Sequence, residues 1–350
     1  MVYAMKIPIL NIYFLLCYAW NMLEEKEVAD VDAQDMTRLV DLFAKALING
    51  TTHLFKKGLD RGYIEQEEES RRIRGKILFG PSLKRNLFQQ CIACCRFDEF
   101  SHDVLHNQIL KATFRLLLRV RDIDPLLKDD AACLYNRFPN VSDITLDNKL
   151  FQRVKLNRNN LFYDFLIHIC RIIYDSVLID EQSGKARFQD FVRDEMKMSL
   201  VFEAFVRNFY KKEQNRFIVK RDHIRWHVHV PGEHDIFLPG METDTSLIAR
   251  DGSSKIVIET KYKQAILQAN IGGRDKVISQ NLYQLYAYLK NLEPLGGPNA
   301  TCKGILLYAA PGQEMDFTFS LPNHDIRVKT LNLFQPWQGI YKDMIELVSN

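Results

Sequence analysis

The sequence predicts a mixed α/β protein of two domains: a mostly helical N-terminal one with a β insertion, and a C-terminal one built on a mixed sheet flanked by helices. Three observations carry this. The chain has 350 residues, and at roughly 150 residues per domain that length fits about two domains. Its first half is dominated by apolar residues at helical spacing. Its second half carries strand-like alternation and short apolar runs that end in turn residues.

Composition narrows the class. Hydrophobic residues make up 47% and charged residues 26%, the mix of an ordinary globular chain. Lys and Arg number 47 against 44 Asp and Glu, a net charge of +3. A protein that coats nucleic acid by charge alone is far more basic, so any such contact belongs in a local groove. The cysteines (Cys17, Cys91, Cys94, Cys95, Cys133, Cys170 and Cys302) are odd in number and irregularly spaced. That argues against a secreted disulfide framework. The apolar start contains Pro8 and Asn11, has Lys6 as its one basic residue, and runs into Glu24-Glu25 without a small-residue cleavage site. It reads as a buried element of a cytoplasmic protein, and no long uncharged stretch elsewhere is suited to a membrane.

In chain order, residues 9–24 and 35–57 are expected to be helical, the second through Leu39, Leu42, Phe43, Leu47 and Leu54. From Gly62 to Phe100 the period shortens, and Ile73, Ile77 and Phe79 before Gly80-Pro81 suggest short strands and turns. Helical spacing returns over 103–121 and 158–179. A polar break around Gly184 sets the expected boundary, giving domains 1–185 and 186–350. Beyond it come a helix over 196–213, an alternating strand over 223–230, and strands over 241–249 and 255–262. A helix over 275–290, strands over 304–309 and 325–332, and a closing helix over 335–348 complete the unit.

The chemistry concentrates in METDTSLIARDGSSKIVIETKYK. Strands 241–249 and 255–262 are joined by Asp251-Gly252-Ser253-Ser254, a good hairpin turn. A four-residue loop would set Arg250 opposite Lys255, Ser246 opposite Glu259 and Asp244 opposite Lys261. Asp244, Glu259 and Lys261 then share one face, with Asp244 diagonal to Glu259. Two carboxylates suit a hard divalent cation, most plausibly Mg²⁺. Such a metal polarises a phosphodiester, and an ammonium beside it orients water or offsets transition-state charge. Ile256-Val257-Ile258 is apolar on both faces, as in a central covered strand. A following helix aligns Gln280, Gln284 and Tyr288 on one stripe.

This arrangement resembles the PD-(D/E)xK nuclease superfamily, whose pattern is an acid, a hairpin, (D/E)xK and a helix often bearing QxxxY. The matching residues are Asp244, Glu259, Lys261, Gln284 and Tyr288. Thr243 stands where the pattern has proline. Glu203, in LVFEAFV, fits the carboxylate often found on the preceding helix.

The resemblance extends to nearly the whole chain. IPILNIYFLLCYAW, IRGKILF…CRFDEFSHDVLHNQILKATFRLLL, RFQDFVRDEMKMSLVFEAFV and METDTSL…IVIETKYK…SQNLYQLYAYL are similar to segments in the same order in the McrC family. That family is the nuclease subunit of the McrBC restriction system, which acts on DNA containing modified cytosine. The resemblance implies an N-terminal part that docks onto a ring of McrB-like AAA+ GTPase subunits, which also recognise the modified base. It implies as well that the chain cuts DNA and stimulates its partner's GTP turnover. No G-x-x-x-x-G-K-[ST] occurs here, so the GTP belongs to the partner. Asp244 and Glu259 would hold Mg²⁺, Lys261 would assist the water, and Glu203, Gln284 and Tyr288 would support the site. Two rivals remain: a stand-alone metal-dependent repair or defence nuclease, and a non-cutting activator of a partner NTPase.

Other clusters fit plainer roles. Cys91, Cys94 and Cys95 with His102 and His106 have short zinc spacing and lie among Phe97 and Phe100, which favours a core role. His227, His229 and His234, with Asp235 nearby, fit an exposed or DNA-facing strand as well as a metal. The charged run Glu65–Arg74 is a candidate for a protruding contact, with a solvated hairpin tip as the plainer account.

Overall fold

The structure, a computed structural model, describes residues 7–20, 38–156, 161–179, 186–188, 194–228, 232–262, 267–268, 276–309 and 314–349. Gly184, His229 and the ends of several expected elements lie outside these residues. The chain forms two compact units. One comprises Met1–Leu23, Ala33–Asp35 and Asp190–Asn350; the other comprises Glu24–Asp32 and Met36–Gln189.

Helix α1 (Ile9–Ala19) therefore belongs with the C-terminal unit, whereas the sequence placed it in a domain of residues 1–185. Its side chains explain this. Phe14 and Tyr18 stack on Trp337 with ring centroids 4.6 and 5.6 Å apart. Asn11 Nδ2 donates to the carbonyls of Leu333 and Gln335, each at 2.8 Å. An apolar, aromatic helix is buried by the partner that matches it in shape, whatever its place in the chain.

The middle unit is mostly helical, with a small sheet inserted. Helix α2 (Leu39–Lys57) buries Leu42, Phe43 and Leu47. The insertion is an antiparallel sheet in which β1 (Gly62–Ser70) and β2 (Lys76–Ile77) flank β3 (Ala93–Ser101), with a short helix α3 (Phe79–Lys84) between. Most of β1 is exposed, and Glu67 and Glu69 pair with Arg96 and Arg85 across the surface. Cys94 and Cys95 are buried in β3, Cys91 is exposed, and His106 sits 3.0 Å from Asp60.

Helix α4 (Leu105–Arg119) buries Ile109, Leu110, Phe114 and Leu117. Helix α5 (Pro125–Arg137) starts where Asp124 accepts from the Leu126 and Leu127 amides and proline occupies the first turn. Helices α6 (Asn148–Arg153) and α7 (Leu161–Ser176) follow, with a two-strand ribbon of β4 (Val177–Ile179) and β5 (Ala186–Phe188).

In the C-terminal unit, helix α8 (Glu195–Glu213) is capped by Asp194, which accepts from the Met196 and Lys197 amides. It packs on α1, and its Asn208 Nδ2 donates to the Tyr18 and Ala19 carbonyls at 3.0 Å. Then come β6 (Phe217–Lys220), β7 (His223–Ile224), β8 (Met241–Glu242), β9 (Thr245–Ala249) and β10 (Lys255–Tyr262). A ribbon of β11 (Leu267–Gln268) and β12 (Lys276–Val277) precedes helix α9 (Ser279–Leu292). Strands β13 (Lys303–Ala309), β14 (Asp316–Leu321) and β15 (His324–Leu331) and helix α10 (Trp337–Leu347) close the chain.

Six strands form one mixed sheet in the order β14-β15-β13-β10-β9-β6, with β10, β13 and β15 parallel. Helix α9 makes the crossover from β10 to β13. Its Leu285 and Leu289 lie so close to Gly304 that an added Cβ would meet them at 3.1 and 3.0 Å. Val257, Leu285, Leu289, Leu306, Ile326 and Val328 form the core between helix and sheet.

Further expectations change, among them the helix expected over 158–179, which ends at Ser176 so that Val177–Ile179 can pair as β4. The strand expected over 223–230 ends at Ile224, because the His227 amide donates to Asn291 Oδ1 of α9 (2.8 Å) rather than to a strand. The strand expected over 241–249 is split, with β8 pairing with β7 and β9 with β10 and β6. The hairpin register also differs by two residues. Ile258 lies opposite Thr245 and Val257 opposite Ser246. Arg250 is drawn into the turn, where its Nε donates to the Asn215 carbonyl at 2.8 Å. Asp251 Oδ1 accepts from the Ser253 amide, and Gly252 takes φ 71°.

Candidate active site

A two-residue register change preserves which face each side chain occupies. Continuing the observed pairing places Asp244 directly across from Glu259 rather than diagonal to it. Val257, Glu259 and Lys261 alternate onto the face of β10 that α9 covers, so Val257 joins the core while the two ionisable groups meet the polar stripe of the helix.

Glu259 is 1% exposed. Its Oε1 accepts from Lys261 Nζ at 2.7 Å, and its Oε2 is buried with no hydrogen-bond partner among the described residues. Burial first, and the charge of Asp244 second, push its carboxyl up to about 7, against the opposing pull of Lys261 and Gln284. Lys261 Nζ also donates to Gln284 Oε1 at 3.1 Å, and Gln284 Nε2 donates to the Tyr288 hydroxyl at 2.8 Å. Gln284 and Tyr288 are one helical turn apart on α9, so the amide is fixed at both ends. Burial holds the Tyr288 phenol above its ordinary range, which keeps it protonated.

Asp244 lies in the bend between β8 and β9, outside the ladder. Its Oδ2 accepts from the Thr260 amide (2.8 Å) and the Thr260 hydroxyl (2.6 Å), and its carbonyl accepts from Arg207 Nη1 (3.0 Å). The same Arg207 atom donates to Glu203 Oε1 at 2.9 Å, and Arg221 also pairs with Glu203. Burial lowers the pKa of Arg207, and the charges of Asp244 and Glu242 oppose that.

All six residues singled out in the sequence thus lie on the connected elements β10, α8, α9 and the bend before β9. Glu203 differs in kind from the other two acids, since two guanidinium groups already neutralise it. Sequence reading missed Arg207, Arg221 and Thr260. Arg207 is four residues after Glu203 on a helix, the spacing of an ion pair. Thr260 acts partly through its backbone amide, which no residue type advertises.

The donor set suits a small hard cation. Among the described residues, no group of three or more His, Cys, Asp or Glu is placed to hold a metal. Asp244 and Glu259 offer two carboxylates, which is enough for Mg²⁺ when water and phosphate complete its shell. The unpartnered Glu259 Oε2, held in a buried position, is what such an ion would satisfy.

Comparison with known proteins gives one family. The model of the family described as McrBC 5-methylcytosine restriction system component matches residues 11–309. A curated protein of Escherichia coli (strain K12), named Type IV methyl-directed restriction enzyme EcoKMcrBC, is 29% identical over 342 residues, which cover 97% of each chain. A refined half-complex from a tetradecameric assembly of Thermococcus gammatolerans McrB AAA+ hexamers with bound McrC contains a similar chain. It aligns with 97% of this chain and 76% of that one, at TM-score 0.57 and 16% identity, a likeness of fold. The match over residues 11–309 spans both compact units, and the chain belongs to the McrBC 5-methylcytosine restriction system component family.

Proposed function

We propose that this chain is the endonuclease subunit of an McrBC-type restriction system, cutting DNA near modified cytosine when a McrB-like AAA+ GTPase ring delivers it. Membership of the family and the similarity to the E. coli restriction enzyme support the subunit assignment. The solved assembly that contains the similar chain consists of McrB AAA+ hexamers with bound McrC, which supports the partner. The observation that carries the chemistry is a buried carboxylate with one vacant oxygen, bonded to a lysine and set across a hairpin from a second acid.

Asp244 and Glu259 would hold Mg²⁺. When bound, the ion polarises the scissile phosphate and makes its water more acidic. Thr260 orients Asp244 by gripping Oδ2 through both its amide and hydroxyl. Lys261, held between Glu259 and Gln284, presents its ammonium to the attacking water or to charge developing on phosphate. Gln284 and Tyr288 keep that ammonium from swinging out to solvent. The carboxyl of Glu259 must be ionised to accept a cation, so metal binding weakens as pH falls below about 7. The middle unit is the candidate docking part, with the partner binding and hydrolysing the GTP.

The test is a cleavage assay on modified and unmodified DNA, with and without the partner, GTP and Mg²⁺, using the native chain and Asp244→Ala. Cutting that needs all components and disappears in Asp244→Ala is expected. Cutting by the chain alone points to a stand-alone nuclease. Undiminished cutting by Asp244→Ala refutes the site. Full GTPase stimulation by a native chain that never cuts points to a pure activator.

A further inference from the structure

A second buried ionic cluster lies at the other end of the same strand. Lys255 opens β10 and is 4% exposed. Its Nζ lies 2.7 Å from Asp222 Oδ2 and donates to Asn299 Oδ1 at 2.8 Å. Asp222 sits between β6 and β7, and its Oδ1 lies 2.9 Å from Lys220 Nζ. Burial alone would raise the Asp222 carboxyl, but Lys255, Lys220 and Ser246 outweigh it and hold the group below the usual carboxylate range.

This cluster reaches Asp244 through one residue. The Thr243 amide donates to the Asp222 carbonyl at 3.0 Å, and the Asp222 amide donates to Thr243 Oγ1 at 2.9 Å. Thr243 Oγ1 also lies 3.1 Å from Ser246 Oγ, and both residues are buried. Strand pairing does not reach Asp244, because the ladder of β9 ends with Thr245 opposite Ile258. The position of Asp244 is set instead by bonds outside the ladder. A proline at 243 would have neither the amide hydrogen nor the hydroxyl that make this bracket.

We propose that Asp222 and Lys255, acting through Thr243, are positioning residues that hold Asp244 opposite Glu259 so that the two acids share one cation. The proposal rests on the reading of Asp244 and Glu259 as metal ligands. A buried ion pair contributes little net stability compared with apolar residues of the same volume, which fits a geometric use here. Lys255 and Glu259 lie on the same face of one strand, so the pair ties the Asp244 bend to the strand that carries its partner acid.

The experiment compares the full native chain with Lys255→Met, Lys255→Arg, Asp222→Asn and Asp244→Ala. It measures Mg²⁺ binding to the chain by calorimetry, thermal unfolding without metal, and, in the reconstituted complex, DNA cutting and partner GTP turnover. Lys255→Met is expected to weaken Mg²⁺ binding and raise the Mg²⁺ half-saturation of cutting by about tenfold, since a displacement of about 1 Å at a catalytic group has effects of this order or larger. The KM for DNA and the partner's GTP turnover should change less than about twofold, on the same argument that only the metal geometry moves. Lys255→Arg should restore most of the Mg²⁺ affinity.

A Lys255→Met chain that melts earlier yet binds Mg²⁺ and cuts as the native chain does would overturn the proposal, leaving a merely structural pair. Should Lys255→Met not fold, Asp222→Asn decides by the same Mg²⁺ readout, because it keeps the side-chain volume and the backbone bracket. Asp244→Ala separates the two ideas. If it abolishes cutting while Lys255→Met and Asp222→Asn behave as native, only the brace fails. If it cuts normally, the active-site reading fails and the brace with it.

Discussion

Strand β10 buries two ionic side chains four residues apart, and they are treated in opposite ways. Lys255 is paired: its ammonium lies 2.7 Å from an Asp222 carboxylate oxygen and donates to the Asn299 amide oxygen. Glu259 is left incomplete, with one oxygen bonded to Lys261 and the other making no hydrogen bond among the described residues. Leaving a buried polar atom unmatched costs about 1–3 kcal/mol, and in Glu259 that atom belongs to a carboxylate with a second acid, Asp244, beside it. The contrast sets a paired lysine against a carboxylate with an oxygen to spare, and under the proposed function that oxygen would take the cation.

The largest effect expected from breaking this contrast is chemical. Lys261→Met should lower the rate of DNA cutting at saturating Mg²⁺ by about 10²–10³-fold, the usual loss for one transition-state donor. Binding of uncut DNA should persist, and the optimum should move to higher pH, because Glu259 loses the cation that opposes its burial. A gel-shift assay beside a pH–rate profile reads both.

The next effect is on stability. Folding raises the Glu259 carboxyl from 4.5 to about 7. Between those values the folded chain holds more protons than the unfolded chain, so without metal the native protein loses stability as pH rises through this window. Glu259→Gln removes the penalty. It should stabilise the metal-free chain by roughly 2–3 kcal/mol at pH 8 and leave it nearly unchanged at pH 4. Denaturant melts at both pH values check the sign, and an equal gain at both would refute the burial argument.

Arg207→Met should come next, with cutting lowered about tenfold as the Asp244 carbonyl and Glu203 lose their shared donor. Secondary structure by circular dichroism should stay native. The smallest effect belongs to the middle unit. Arg96→Ala removes a pair with Glu67 on exposed β1, where solvent screens the charges, and the melting temperature should not move measurably.

Much of this site was legible because strand alternation survives errors of register. The expected pairing was two residues out, yet Glu259 and Lys261 share one face of β10, since parity and not exact pairing decides the face; Asp244 lies in a bend beyond the ladder and bonds to Thr260. The helical stripe of Gln284 and Tyr288 was legible for the same reason, as a fixed period on a regular element. The backbone's part was hidden. Arg250 entering the turn, Thr260 serving Asp244 through its amide, and the His227 amide bonding to α9 all depend on competition for main-chain groups, which residue types do not record. The place of α1 was hidden too, because periodicity shows that a helix has an apolar side and not which distant surface covers it.

That placement has a consequence for synthesis. The aromatic side of α1 leaves the ribosome well before Trp337, on which it stacks. A nascent or prematurely terminated chain lacks the surface that shields this helix. The unit that joins α1 to residues 190–350 therefore gains this packing only after the segment carrying Trp337 has been made.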